Sequence, residues 1–286
     1  MSVNPDDFQK FVGRKRTAED IVTAYMVRAF AATFGRSEPA KMGDPVPPGW
    51  HDLFFIETPQ RNELAQDGYQ RESWLAPPIP LPRLMFAASR GSFPGVARIG
   101  DTIRREVECK SVTAKQGSSS GLLVFTTVRQ RVYGPSGLII DEERDAVFRE
   151  AVKPGEKNVA PKHEPPPPDT VWKRTIMPDE IMLFRYSAFT FNSHRIHYDH
   201  PYVTRVEGYP ALVVQGPLTM TCLLDLARDS MPNRRITSYT MRAKAPLFAN
   251  TPFEMVGRPA ADGKSAELWA VTPDGTTAQQ MQVTYA

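Results

Sequence analysis

The sequence predicts an α+β protein built from two similarly ordered halves, each helical early and an antiparallel meander late. Three observations carry this. Residues 101–150 alternate apolar and polar positions between two glycine turns, as strands half-buried on one face do. Residues 218–231, LTMTCLLDLARDSM, are apolar on almost every side, as in a helix wrapped by other structure. Between these stands Pro165–Pro168, a run that favours a stiff, extended spacer. A buried helix covered by an antiparallel sheet is an α+β layer solution.

In chain order, residues 17–35 read as an amphipathic helix. Thr17 is its N-cap, Glu19 and Asp20 lie in its first turn, and Gly35 is its stop. Ile21, Tyr25, Phe30 and Phe34 approximate its buried face. Residues 38–83 are irregular and proline-rich, and so long a connection in a compact domain is usually functional. The meander of 101–150 turns at Gly117–Gly121 and at Gly134–Gly137. The first turn lacks the Lys-Ser/Thr and the following helix of a phosphate loop, so it reads as a hairpin.

After the spacer the pattern restarts. Residues 171–176 form a short strand. Pro178 opens a helix with Asp179 and Glu180 in its first turn and Ile181, Phe184 and Ala188 spaced for burial. Pro217 opens the apolar helix. The segments RITSYTMRAKAPLF, PFEMVGRP, SAELWAVTP and TAQQMQVTYA then supply three or four strands, the last two joined at Asp274-Gly275. The expected domains are 1–152 and 171–286, joined by the linker 153–170.

Composition excludes several classes. The chain has 286 residues with 41% hydrophobic and 23% charged, enough for a packed core. Its 27 prolines and 18 glycines therefore punctuate a folded chain rather than a low-complexity one. A net charge of +3 is too small and too dispersed for a nucleic-acid face, and suits a small polyanionic ligand. No stretch reaches the roughly 18 apolar residues of a membrane span. Cys109 and Cys222 form no CxxC pair, which argues against structural zinc and for two buried, reduced thiols. The opening residues MSVNPDDFQK have no apolar h-region, so the expected location is cytoplasmic.

The chemistry concentrates in FNSHRIHYDHPY. His194, His197 and His200 could ligate a metal, but no Cys or Glu stands at a familiar ligand spacing and Pro201 interrupts a helix face. The same residues could form a polar surface loop, or one histidine beside an amide could act as acid and base. The surrounding residues favour the last reading. Thr190-Phe191-Asn192-Ser193-His194-Arg195-Ile196-His197, followed by EGYPALVVQGPLT, resembles the MaoC-like enoyl-thioester hydratases. Their pattern is Thr-Gly-Asp-x-Asn-Pro-x-His, then a spacer, then His-Gly before a central helix. The closest resemblance is to a two-domain branch with mesaconyl-C4-CoA and itaconyl-CoA hydratases and 3-hydroxyacyl-thioester dehydratases. FVGRKR, WLAPPIPLPRLMFA and IGDTIRREVE extend it over the first half.

That resemblance implies a double hot-dog fold, two antiparallel sheets each associated with a helix. It implies a hydro-lyase acting on acyl-CoA with no cofactor and no metal, coenzyme A being part of the substrate. Neither nucleic acid nor membrane is an expected partner, and a homodimer stays open. His197 falls on the catalytic histidine and Asn192 on the catalytic aspartate. His194 replaces the motif asparagine, Arg195 the proline, and Gln215 the histidine before Gly216. An amide can orient water but cannot take its proton, so His197 would be the base, assisted by His194. Gly216, just before a helix, would offer its N–H to the thioester oxygen. Arg242 and Lys244 would meet the phosphates of coenzyme A, and Arg185 or Arg195 a distal carboxylate. Residues 77–82 and Leu84–Phe86 would line the acyl cavity. The competing reading is a thioester-binding module without catalysis, with Asn192 marking a decayed site. A thioesterase fits less well, because no nucleophile or activating carboxylate is placed for it.

Overall fold

The computed structural model describes residues 5–38, 40–70, 75, 77–117, 121–151 and 164–286. The first half contains β1 (Lys15–Ile21), α1 (Ala24–Thr33), β2 (Arg83–Ser92), β3 (Thr102–Gly117), β4 (Gly121–Gly134) and β5 (Gly137–Arg149). The second contains β6 (Trp172–Ile176), α2 (Glu180–Phe189), α3 (His200–Arg205), α4 (Gly216–Ser230), β7 (Ile236–Ala243), β8 (Phe253–Pro259), β9 (Ser265–Val271) and β10 (Thr277–Tyr285). The strands form one antiparallel sheet in the order β1-β3-β4-β5-β2-β7-β10-β9-β8-β6. From the central β2–β7 pair outward, each half repeats the other: β5 matches β10, β4 matches β9, β3 matches β8, and β1 matches β6. The repeated order expected from the sequence is therefore a repeated topology.

Helix α4 packs against β6 to β10, and every residue from Leu218 to Ala227 is buried. Among the described residues, the first half has no long helix at the matching place. There the irregular segment supplies a short 3-10 turn, Trp50–Leu53, whose Trp50 and Leu53 are buried in the same core as α4. Trp50 donates Nε1–H to Asp225 on α4 at 3.2 Å, and its ring meets Phe30 of α1 edge-on. One apolar core thus runs through both halves.

At the seam, Glu142 of β5 is fully buried and receives the hydroxyl of Tyr239 of β7 and the amide of Gln130. His51 and Arg144 flank it at 3.2 and 2.7 Å. Burial alone would raise the pKa of this carboxyl; Arg144 and His51 outweigh burial and hold it well below the usual range.

Two expectations need correction. The helix read over 17–35 is divided: Lys15–Ile21 is an edge strand paired with β3, and the helix begins after Thr23. The charged, mostly exposed side chains of Lys15, Arg16, Glu19 and Asp20 suit a sheet edge that must not attract further strands. Ile21 and Tyr25 are exposed, and Val27, Phe30 and Ala31 form the buried face. In α2 the N-cap is Asp179, which accepts from the N–H of Met182 at 2.8 Å, so Pro178 precedes the cap. The buried face of α2 is Leu183, Tyr186 and Ser187, while Ile181 and Phe184 point outward. Neighbours decide this: Tyr186 packs on Phe30, and Gln215 grips the other two. The four C-terminal strands are all present, and Gly117 pairs with Gly121 at the end of the β3–β4 ladder, residues 118–120 of the expected turn lying outside the described residues. Residues 152–163, which include the first part of the 153–170 linker, lie outside the described residues.

Candidate active site

The motif begins where α2 ends. Phe191 adopts a left-handed conformation, φ 50°, and its N–H and that of Asn192 return to Ala188 and Ser187. This is a Schellman stop with phenylalanine at the position that favours glycine. Asn192 then turns the chain: its Oδ1 accepts the N–H of His194 at 3.0 Å. The amide oxygen is thereby engaged, and Nδ2 is the group left to meet a water. Arg195–His197 make a single 3-10 turn, and Asp199 caps α3 by accepting from the Tyr202 N–H at 3.0 Å.

His197 is buried on this turn, and its Nδ1 lies 2.7 Å from the carbonyl oxygen of Val213. A carbonyl only accepts, so Nδ1 carries the proton and Nε2 holds the lone pair. Burial, followed by the neighbouring His194, pushes the His197 pKa down to about 3, against the bond to Val213. The ordinary value is near 6.5, so His197 is neutral throughout the physiological range. Three residues after Val213 comes Gly216, the first residue of α4, whose N–H has no intrahelical partner. Its carbonyl is held by Nε2 of buried Gln279 at 3.0 Å. A Cβ on Gly216 would stand 2.6 Å from Cδ1 of Phe86, beside the bulge at Phe86/Ala88 of β2.

His194 is buried beside His197, ring centroids 5.5 Å apart and nearly perpendicular. Its Nε2 lies 3.6 Å from Oδ2 of Asp67, a buried carboxylate from the first half. Asp67 also lines a cleft of about 470 Å³ with Pro78, Ile79, Pro80, Leu81 and Arg83. His200 is exposed at the start of α3 and does not join the other two histidines.

The remaining sequence candidates are scattered. Gln215 is buried and donates Nε2 to Leu183 O at 3.0 Å and to Ser187 Oγ at 2.9 Å, fastening α4 to α2. Arg195 is bound through Nε and Nη2 to Asp199 and through Nη1 to Gln66 O, and lies over the Tyr202 ring. Arg185 is exposed on α2, its Nη1 3.5 Å from Ala32 O of α1. Arg242 is exposed on β7 opposite Ala88, and Lys244 follows that strand half-buried. Sequence reasoning missed Asp67, Gln279 and Arg83. Nothing in spacing connects them to the motif; the Asp67-Gly68 pair signals only a turn.

The family model for hydroxyacyl-thioester dehydratase type 2 matches residues 49–249. The chain belongs to that family. Within reach of the hydroxyacyl-thioester dehydratases, it is 42% identical over 274 residues to a mesaconyl-C4-CoA hydratase of Chloroflexus aurantiacus, covering 95% of each chain. It is 28% identical over 235 residues to the mitochondrial hydroxyacyl-thioester dehydratase type 2 of Schizosaccharomyces pombe, covering 73% of this chain and 76% of that one. Solved structures show the fold. A MaoC-like dehydratase of Phytophthora capsici superposes with a TM-score of 0.70 at 11% identity, covering 99% and 98% of the chains. A Mycobacterium tuberculosis protein with a double hot-dog fold superposes at 0.60 with 15% identity, covering 99% and 98%. The double hot-dog expected from the motif is the fold of this chain.

Proposed function

We propose that this protein catalyses the reversible hydration of an α,β-unsaturated acyl-CoA thioester whose acyl group is a C4 or C5 dicarboxylate half-ester. The relative from Chloroflexus, similar over nearly the whole chain, supports the substrate class. The bond from His197 to Val213 carries the catalytic reading, because it presents a neutral Nε2 beside the start of α4. In hydration, Nε2 of His197 takes a proton from water as the water oxygen bonds to the β-carbon. The π pair of the double bond between the α- and β-carbons becomes the enolate double bond, and the carbonyl π pair moves onto the thioester oxygen. The Gly216 N–H, at the positive end of α4, stabilises that oxygen, an interaction commonly worth about 3 kcal/mol. Asn192 holds the water through Nδ2.

For the distal carboxylate, Arg83 is a better candidate than Arg185 or Arg195. Arg83 is buried at the cleft wall, with Nε on Glu207 at 2.9 Å and Nη2 on Tyr209 at 3.0 Å. Its Nη1 is the donor those partners leave over. Arg242 and Lys244 face the phosphates of coenzyme A.

The deciding experiment follows enoyl-thioester absorbance with mesaconyl-C4-CoA, itaconyl-CoA, crotonyl-CoA and longer enoyl-CoAs. Turnover is expected, fastest with a half-ester. Binding of these thioesters with turnover of none would instead establish the non-catalytic module. Replacing Arg83 and Glu207 together by Gln is expected to lower the preference for the half-ester over crotonyl-CoA at least about tenfold, a loss of about 1.4 kcal/mol. An unchanged preference would move the carboxylate site elsewhere.

A further inference from the structure

We propose that Asp67 supplies, from the first half of the chain, the carboxylate that the motif lacks at position 192, acting through His194. The proposal rests on reading residues 192–197 as the hydratase site.

Asp67 sits at the tip of a small hairpin closed by the Leu64–Gln70 bridge. That tip is docked on the motif. The Arg195 N–H donates to Asp67 O at 2.8 Å, Ser193 Oγ to Gly68 O at 2.5 Å, and Arg195 Nη1 to Gln66 O at 3.0 Å. Gly68 packs so closely that a Cβ there would collide with the Ser193 carbonyl. Within the tip, the Tyr69 N–H holds Asp67 Oδ1 at 3.1 Å, while Oδ2 faces Nε2 of His194 at 3.6 Å. The Tyr69 ring packs on His194 from the same side.

Backbone docking alone needs no carboxylate, and burying one is costly unless a cationic partner meets it. His194 offers one such partner, its Nε2 3.6 Å from Oδ2. A carboxylate at Nε2 favours the imidazolium and fixes its ring. Among the described residues, Asp67 and Tyr69 on the hairpin and His197 on its own turn stand around His194, with the Arg195–Asp199 pair and Tyr202 beyond.

This completes the proton balance of hydration. His197 removes one proton from water while the hydroxyl bonds to the β-carbon. The His194 imidazolium delivers its proton to the α-carbon as the enolate electron pair returns from the thioester oxygen. The proton on His197 then passes to His194, restoring both. Asp67 is the positioning residue that aims His194 and faces its charge when the ring carries the proton.

The test compares wild type, Asp67→Asn and Asp67→Asn with Asn192→Asp. Asparagine keeps the acceptor for Tyr69 and every backbone contact. Asp67→Asn is expected to lose about a hundredfold in kcat/KM, within the range of acid–base catalysis. The alkaline limb of its pH–rate profile moves to lower pH, because removing the carboxylate destabilises the imidazolium. Adding Asn192→Asp is expected to recover at least about tenfold of that. An unchanged rate and limb, or a loss without a shifted limb or recovery, overturns the role of Asp67. Asp67→Ser, whose hydroxyl can still accept from Tyr69, carries the same expectation if the asparagine variant does not fold. A wild type that turns over no thioester removes the hydratase reading, and the role of Asp67 with it; only the first two outcomes separate Asp67 from that reading.

Discussion

The Nδ1–H of His197 donates to the carbonyl oxygen of Val213 at 2.7 Å, and this contact joins the motif turn to the segment that enters α4. The carbonyl fixes the tautomer, and burial beside His194 keeps the ring neutral, with a pKa of about 3. His197→Asn retains a donor for Val213 but has no atom in the place of Nε2. We expect it to fold and to lose at least about a hundredfold in kcat, the low end for a general base. Retained activity would move the base elsewhere. In wild type, kcat/KM shows no inflection from His197 between pH 5 and 7, because the ring holds no proton to lose there.

Gly216→Ala separates packing from catalysis. Its Cβ meets Phe86 Cδ1 at 2.6 Å, and overpacking of this kind commonly costs about 1–3 kcal/mol. Phe86→Leu added to it is expected to restore the melting temperature. Alanine keeps the backbone N–H, so the rate should fall only where the clash displaces the start of α4, about a hundredfold at most in the single variant, and should return with stability in the double variant. A rate that stays down after stability is restored would mean that the added methyl group itself obstructs the substrate.

How much of this was legible in the sequence depends on the range over which each feature is determined. The strands of 101–149 and 236–285 were readable because alternation and turn glycines are local, and α4 because its apolar residues surround it. The edge strand Lys15–Ile21 was hidden, since its pairing with β3 lies far along the chain and its own residues suit a helix equally well. The outward turn of Ile181 and Phe184 escaped for the same reason, α1 and Gln215 having chosen the buried face. In the site, the motif places His194, His197 and Gly216, joined by local backbone. Asp67 could not be found, because a hairpin more than a hundred residues earlier delivers it.

Phe191 predicts a gain in stability. At φ 50° a non-glycine residue commonly costs about 1–2 kcal/mol. Its side chain is 55% exposed, so little burial is lost on removal. Glycine adds freedom to the unfolded chain, commonly about 0.4–1 kcal/mol, which offsets part of the gain. Phe191→Gly is therefore expected to stabilise the fold by about 0.5–1 kcal/mol. A lower denaturation midpoint would mean that the ring makes contacts worth more than the strain.

Asp225 predicts a pH dependence with a definite sign. It is buried on α4, and burial, with Asp229 nearby, pushes its pKa up to about 6 although Arg228, Arg36 and the Trp50 N–H oppose the shift. The unfolded chain has an ordinary carboxyl near 3.9. Between these values the folded state holds a proton that the unfolded state has released. The contribution of Asp225 is therefore full below about pH 4 and is lost as pH rises through about 6. Two pH units correspond to about 3 kcal/mol. Asp225→Asn stays neutral at every pH and still accepts from Trp50. Its stability relative to wild type should thus rise by about 2–3 kcal/mol from pH 4 to pH 7.5, read from urea midpoints of both proteins. A difference that is flat with pH, or that falls, would mean that Arg36 and Arg228 hold Asp225 ionised across the whole interval.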